Sequence, residues 1–444
     1  MFHDTARFPR LAAFLLVLNA CDTAPPDVSE TEDAEASASS TSTSGDPAAS
    51  SGETTSAPDS TGSTTEAPEG TGTSGSESSS SGEPDVPRMP TLPSPEDFEF
   101  LGAVEFPAGE VMVDGTLLGG LSGLAYDGSE DRFLAICDDR SSIAPARFYA
   151  ITVDLSDGAL EDGDVAFVSS TTLLDEDDAP FEENELDPEG IARLADGSLY
   201  VSSEGEVDLG AGTAVAPWIR RFSDAGASLD ELPVDEAFIP AFDDDGVQVR
   251  GVRNNLALES LSLSPDGSLL WTATENAVVQ DGPAATVEEG TTVRLVRYDL
   301  DGGRQDAQFA YVAEPVAAAP VPEDAFRTSG LVELLALEDD GRLLLSLERS
   351  FSVGVGNAVR LYGVDVTEAT DVSGRAALAD DVVPAQKTLL VDFDTLGLAA
   401  LDNVEGMAWG PALDDGRRSL ILISDDNFND GVQVTQVLAF AVEI

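Results

Sequence analysis

The chain has 444 residues, with 84 acidic against 22 basic side chains and a formal net charge of −62. A surface so charged repels nucleic acid and anionic membranes at long range, which argues against nucleic acid as a partner. The only histidine is His3 and the only cysteines are Cys21 and Cys137. A Ser-His-Asp or Cys-His mechanism and a His-ligated metal site are therefore closed to the mature chain, and with Cys21 used for lipid no internal disulfide can form.

Residues 1–21 carry Arg7 and Arg10, then an apolar run from Leu11 to Ala20, then Cys21. That run is too short to span a bilayer and reads as an export signal. Leu18-Asn19-Ala20-Cys21 resembles a bacterial lipobox, with Cys21 the lipidated residue. A plain signal peptide with an incidental cysteine is the alternative. The expectation is a protein lipid-anchored in the cell envelope, in the periplasm or on the outer-membrane surface, touching membrane only through its lipid.

Residues 22–95 lack aromatic side chains and are dominated by Ser, Thr, Gly, Glu, Pro and Ala. Such a segment cannot bury enough apolar surface to offset chain entropy. It reads as a tether with an r.m.s. reach of about 45–50 Å.

Residues 96–444 form the expected folded domain. A strand at Phe98–Phe106 comes first, followed by five copies of a two-strand unit that begin near Leu121, Pro188, Leu258, Leu331 and Val404. Asp196-Gly197, Asp266-Gly267, Asp340-Gly341 and Asp415-Gly416 lie between apolar runs, a strong hairpin signal because tight turns need positive φ. Further strand-like runs between the copies bring the count to about four strands per repeat, with one missing from the last. The spacing predicts an all-β propeller of five four-stranded blades, six being the alternative, closed by the N-terminal strand. Cys137 falls in an apolar strand and is expected to be a buried structural thiol.

Each copy opens with a polar residue and ends with a carboxylate. The leading residues are Ser122, Glu189, Glu259, Glu333 and Glu405; folding each hairpin sets them opposite Asp138, Glu204, Glu275, Glu348 and Asp425. Opposed like charges weaken a ladder, so their recurrence calls for a cation, an arginine or a bound ligand. Calcium, which takes six to eight oxygen ligands with tolerant geometry, suits the set. Glu189, Glu259, Glu333 and Glu405 are the candidate catalytic carboxylates, and Glu204, Glu275, Glu348, Asp138 and Asp425 the candidate metal ligands. Arg349 and Arg140 stand beside them, and calcium with arginine makes a receptor for a phosphate ester. Arg140, Asn276 and Asn427 are the candidate substrate contacts, with Arg349 grouped with the catalytic set. Solvated strand-end charges are the structural alternative for any one pair.

The domain resembles the phytase-like family, known as "esterase-like activity of phytase". The likeness rests on Ser122-Gly123-Leu124 with Asp138-Asp139-Arg140, on Asp187-Pro188-Glu189-Gly190 with Ser203-Glu204-Gly205, and on Asn255–Glu259 with Thr274-Glu275-Asn276. It continues through Glu333 with Glu348-Arg349 and through Asn403–Gly406 with Ser424–Asn427. The resemblance implies a propeller whose acidic residues form a phosphoesterase or phosphodiesterase site. Two functions from different classes stay open. One is a calcium-assisted hydrolase of a small phosphorylated or esterified substrate, acting as a monomer; the other is a tethered binding or adhesion propeller holding structural calcium.

Overall fold

The computed structural model describes residues 91–444; the signal segment, Cys21 and all but the last few tether residues lie outside the described residues. Five four-stranded antiparallel sheets form a propeller. Blade I comprises Leu121–Asp127, Arg132–Cys137, Arg147–Val153 and Val165–Thr172. Blade II comprises Pro188–Arg193, Leu199–Ser203, Trp218–Phe222 and Ser228–Leu232; blade III comprises Ser262–Leu263, Leu269–Ala273, Thr291–Asp299 and Arg304–Ala313. Blade IV comprises Arg327–Ala336, Leu343–Ser352, Gly356–Asp365 and Gln386–Asp392.

Blade V combines Asn403–Ala412, Arg418–Asp425 and Val434–Val442 with the N-terminal strand Phe98–Pro107. The closing pair runs from Phe98↔Val442 to Pro107↔Val434, and the Phe100 and Phe440 rings pack 5.3 Å apart. The first strand thus covers an edge that would otherwise expose unpaired backbone groups. Five blades and closure by the first strand are both as the sequence predicts, and the six-bladed alternative falls away.

The hairpin turns follow their chemistry. Gly197, Gly267, Gly341 and Gly416 all adopt positive φ, between 64° and 96°. Middle strands are buried on both faces, which is why they read as apolar runs. In Leu343–Ser352, Leu344 packs toward blade III with Trp271 and Tyr311, while Leu345 and Leu347 pack toward blade V with Trp409 and Leu420. Cys137 is fully buried and donates to the Gly119 carbonyl at 3.1 Å, as expected of a structural thiol.

Five blades leave little room at the axis. A Cβ on Gly190 would sit 2.9 Å from the Glu259 carbonyl oxygen and 2.8 Å from the Leu261 nitrogen, and one on Gly123 would sit 2.5 Å from the Glu189 carbonyl oxygen. Glycine at these positions lets neighbouring inner strands touch.

Candidate functional site

Every inner strand carries an extra residue against its partner where the polar position falls. Register shifts lie between Leu121 and Gly123, Pro188 and Ile191, Leu331 and Glu333, and Val404 and Gly406. In blade III, Leu258 bridges Thr274 while Ser262 pairs with Trp271, leaving three residues against two. A bulge of this kind re-aims a side chain out of the pleat. Here it turns Ser122, Glu189, Glu259 and Glu405 toward the axis, at the end where the second strands finish.

The bulges correct the expected pairing. Asp138, Glu204, Glu275 and Asp425 lie across from Gly120, Asp187, Ala257 and Asn403, not from the leading polar residues. Blade IV departs furthest. Glu333 pairs with Leu347, just as Gly123 pairs with Ile136 and Gly406 with Ile423, so Glu333 occupies the glycine position and Val332 the carboxylate position. On the second strand Arg349 pairs with Gly330 and thereby takes the place of Asp138, Glu204, Glu275 and Asp425. The copy is offset by one residue in both strands.

Two candidate residues leave the cluster as a result. Glu333 is buried and accepts from the Leu334 backbone N–H at 2.9 Å and from the N–H groups of Leu261 and Met407, which belong to the flanking blades. It ties three inner strands together across the axis. Burial pushes its carboxyl well above the usual range, and the three donors pull it back. Glu348 points away from the ring: it accepts from Tyr311 Oη, from Lys387 Nζ at 2.6 Å and from the Glu314 N–H at 2.8 Å. Neither belongs with the ring carboxylates.

The remaining carboxylates converge. Asp187, Glu189 and Glu204 each place an oxygen within 4.8 Å of the other two, all three buried. Glu259 and Glu275 flank Glu204 from blade III, while Asp138, Glu405 and Asp425 continue the cluster through blades I and V. Burial is the first cause of their shifts, and mutual repulsion adds to it. Asp138 and Asp187 are pushed up to about 8, Glu204 and Glu275 to about 7, and Glu189, Glu259 and Asp425 rise well above the usual range. Glu405 is raised by burial but pulled back by Arg349.

Two guanidinium groups bound the cluster. Arg349 donates from Nη2 to Glu405 Oε1 at 2.7 Å and lies 3.5 Å from Glu275 Oε1. Arg140 pairs with Asp187 and donates to Asn255 Oδ1 at 2.9 Å. Of the two candidate asparagines, Asn276 is a structural clasp, donating to the Ser329 carbonyl and accepting from the Ala285 N–H. Asn427 is exposed, but its backbone N–H donates to Asp425 Oδ1 at 2.7 Å, so it supports the site through the main chain.

Sequence reading left Asp187 and Asn403 out of the site set. Asp187 stands immediately before the bulged Pro188-Glu189 pair, and that adjacency was the available signal. Asn403 Nδ2 donates to Glu405 Oε1 at 3.0 Å and to Asp425 Oδ2 at 3.2 Å.

A family model described as "Phytase-like: Esterase-like activity of phytase" matches residues 116–428, which take in blades I to IV, two strands of blade V and both guanidinium groups. The chain belongs to the phytase-like family. None of the curated proteins compared matches this phytase-like chain. Solved structures with similar architecture include the Dos1 propeller, at TM-score 0.32 and 9% identity over 79% of this chain and 76% of that one. A Dyadobacter fermentans protein of unknown function scores 0.34 at 12% identity, covering 78% of this chain and 100% of that one. The periplasmic gluconolactonase of Pseudomonas aeruginosa scores 0.32 at 13% identity, covering 78% and 99% respectively. No shared chemistry follows from likenesses of this size.

Proposed function

We propose that this phytase-like propeller is an exported, calcium-assisted phosphoric ester hydrolase, phytase-like or phosphodiesterase-like. It acts as a monomer on a small phosphorylated substrate, held at the cell envelope by lipid on Cys21. The observation that supports the reading is the buried triad of Asp187, Glu189 and Glu204, bounded on separate blades by Arg140 and Arg349. The triad suits a hard cation. Its oxygens are clustered, and Glu204 Oε2 is buried without a hydrogen-bond partner. Asp187, Glu189 and Glu204 are the residues that would hold calcium, which when bound would offset most of the triad's negative charge and polarise a phosphoryl oxygen.

The chain's own groups supply the rest. Arg349 and Arg140 offer N–H donors suited to phosphate oxygens. Burial, and then the charge of Glu204, push the Glu259 carboxyl well above its usual range, which favours the proton-bearing form. In hydrolysis the water oxygen bonds to phosphorus, the ester P–O bond breaks, and the leaving alkoxide takes the proton of Glu259. Glu405, whose charge Arg349 supports, takes the proton from the attacking water.

The tight burial of Glu204 and Glu275, each 2% exposed, favours a second reading in which the cluster holds structural calcium in a non-catalytic binding or adhesion propeller. Fold alone does not choose between them. The deciding measurement is turnover of phosphomonoesters, phosphodiesters and carboxylic esters with calcium and with chelator. Calcium-dependent release of phosphate or alcohol supports the hydrolase; calcium binding with no turnover across the panel rejects it.

A further inference from the structure

Blade IV carries an apolar corner directly beyond Arg349. Arg349 and Phe351 are two residues apart on one strand, so their side chains share a face about 7 Å apart along it. That face is turned toward blade V, because Arg349 reaches Glu405 there. The Phe351 and Phe326 ring centroids lie 6.3 Å apart. Val321 donates its N–H to the Val353 carbonyl, and Val353 donates to the Phe326 carbonyl, so the two loop segments and the turn after Phe351 form one surface. Its side chains are open: Phe326 is 51% exposed, Val355 54% and Val321 66%.

Large apolar side chains grouped in the open are unusual on so acidic a protein and mark a surface that something covers. The position argues for the occupant. Arg349 Nε is buried without a partner, and the Arg349 side chain is 12% exposed, more open than the carboxylates it bridges. The Arg349 guanidinium next to an apolar ledge fits a molecule with an anionic end and an apolar end.

We propose that the substrate is an amphipathic phosphoester: its phosphoryl group meets Arg349, and its aryl or acyl group lies on Phe351 and Phe326. This rests on the hydrolase reading and names the substrate class for it. The ledge selects by burying apolar surface, while the guanidinium fixes the end that reacts.

The test is calorimetric titration of the full folded protein, in calcium, with methylphosphonate and phenylphosphonate, which lack a cleavable ester. Phenylphosphonate should bind about tenfold more tightly, the gain from removing roughly 55 Å² of apolar surface from water. Phe326→Ser, at an exposed position that leaves the core intact, and Phe351→Ala should each shrink the preference, with methylphosphonate affinity unchanged. Equal binding of the two phosphonates by the wild type overturns the inference and leaves the hydrolase reading standing. Failure of both to bind removes the hydrolase reading and the inference with it. Concentration-dependent self-association that Phe326→Ser abolishes, with no change in phosphonate preference, assigns the corner to a second copy of the chain and also overturns it.

Discussion

Arg349 Nη2 lies 2.7 Å from Glu405 Oε1 across the boundary between blades IV and V. Arg349 holds the strand position that is a carboxylate in the other four blades. The fourth copy therefore closes an acidic arc with a cation of its own. A buried charge of this kind is costly to strip of its partners.

Arg349→Met should destabilise the calcium-free protein by about 3–5 kcal/mol, because Glu405 and Glu275 lose their shared partner. Urea unfolding measures the loss. Arg349→Lys should keep more of that stability yet raise the KM for a phosphoester with little change in kcat, since an ammonium cannot give a bidentate phosphate contact.

Glu333 and Glu405 should part company on substitution to Gln. Glu333→Gln turns an amide donor toward the N–H groups of Leu334, Leu261 and Met407, at a stability cost of about 1–3 kcal/mol. It should leave calcium affinity unaltered. Glu405→Gln should lower turnover, because it removes the partner of Arg349 and the proton acceptor. Paired turnover assays and unfolding curves distinguish the two; an equal fall in turnover for both, at unchanged stability, would place Glu333 back in the ring.

The cluster also makes a pH signature. Asp138 and Asp187 rise to about 8, and Glu204 and Glu275 to about 7, all above their unfolded values. The folded state then binds more protons than the unfolded one, so stability falls as pH rises from the unfolded carboxylate range through about 7 to 8. In chelator, Tm should drop across that window. Saturating calcium should flatten or reverse the slope, because the cation replaces the protons. A Tm indifferent to both pH and chelator would show that the carboxylates are neither protonated nor metal-bound as described.

Removal of the chain through Pro107 should leave Val434–Val442 as an open edge and strip Phe100 from Phe440. The expected product is aggregated or unfolded protein, scored by size-exclusion chromatography and circular dichroism. A soluble truncation of equal stability would contradict closure by this strand.

Much of the fold is written locally. An Asp-Gly pair between apolar runs specifies a tight hairpin because its backbone needs positive φ, and four such pairs, at Asp196, Asp266, Asp340 and Asp415, set the repeat. An unmatched strand at Phe98 and a three-strand final copy imply closure by simple strand counting. The clustering of Glu189, Glu204, Glu259, Glu275, Glu405, Asp138 and Asp425 is legible for the same reason: equal positions in equal units meet at one end of a ring.

Register was the part that local pattern could not supply. A bulge adds one residue to one strand, and the residue it adds is chosen by how neighbouring inner strands crowd the axis, not by the hairpin's own turn. Glu333 shows the consequence. By motif it matches Glu189 and Glu405; in space it stands in the glycine position, held by three backbone donors, while Arg349 faces the site in its blade. The repeat, the turn sites, the closing strand and the acidic character of one propeller end are all legible in the order of residues. Which carboxylates meet is set by strand register in the folded ring, since a one-residue offset sends a side chain to the opposite face of a strand.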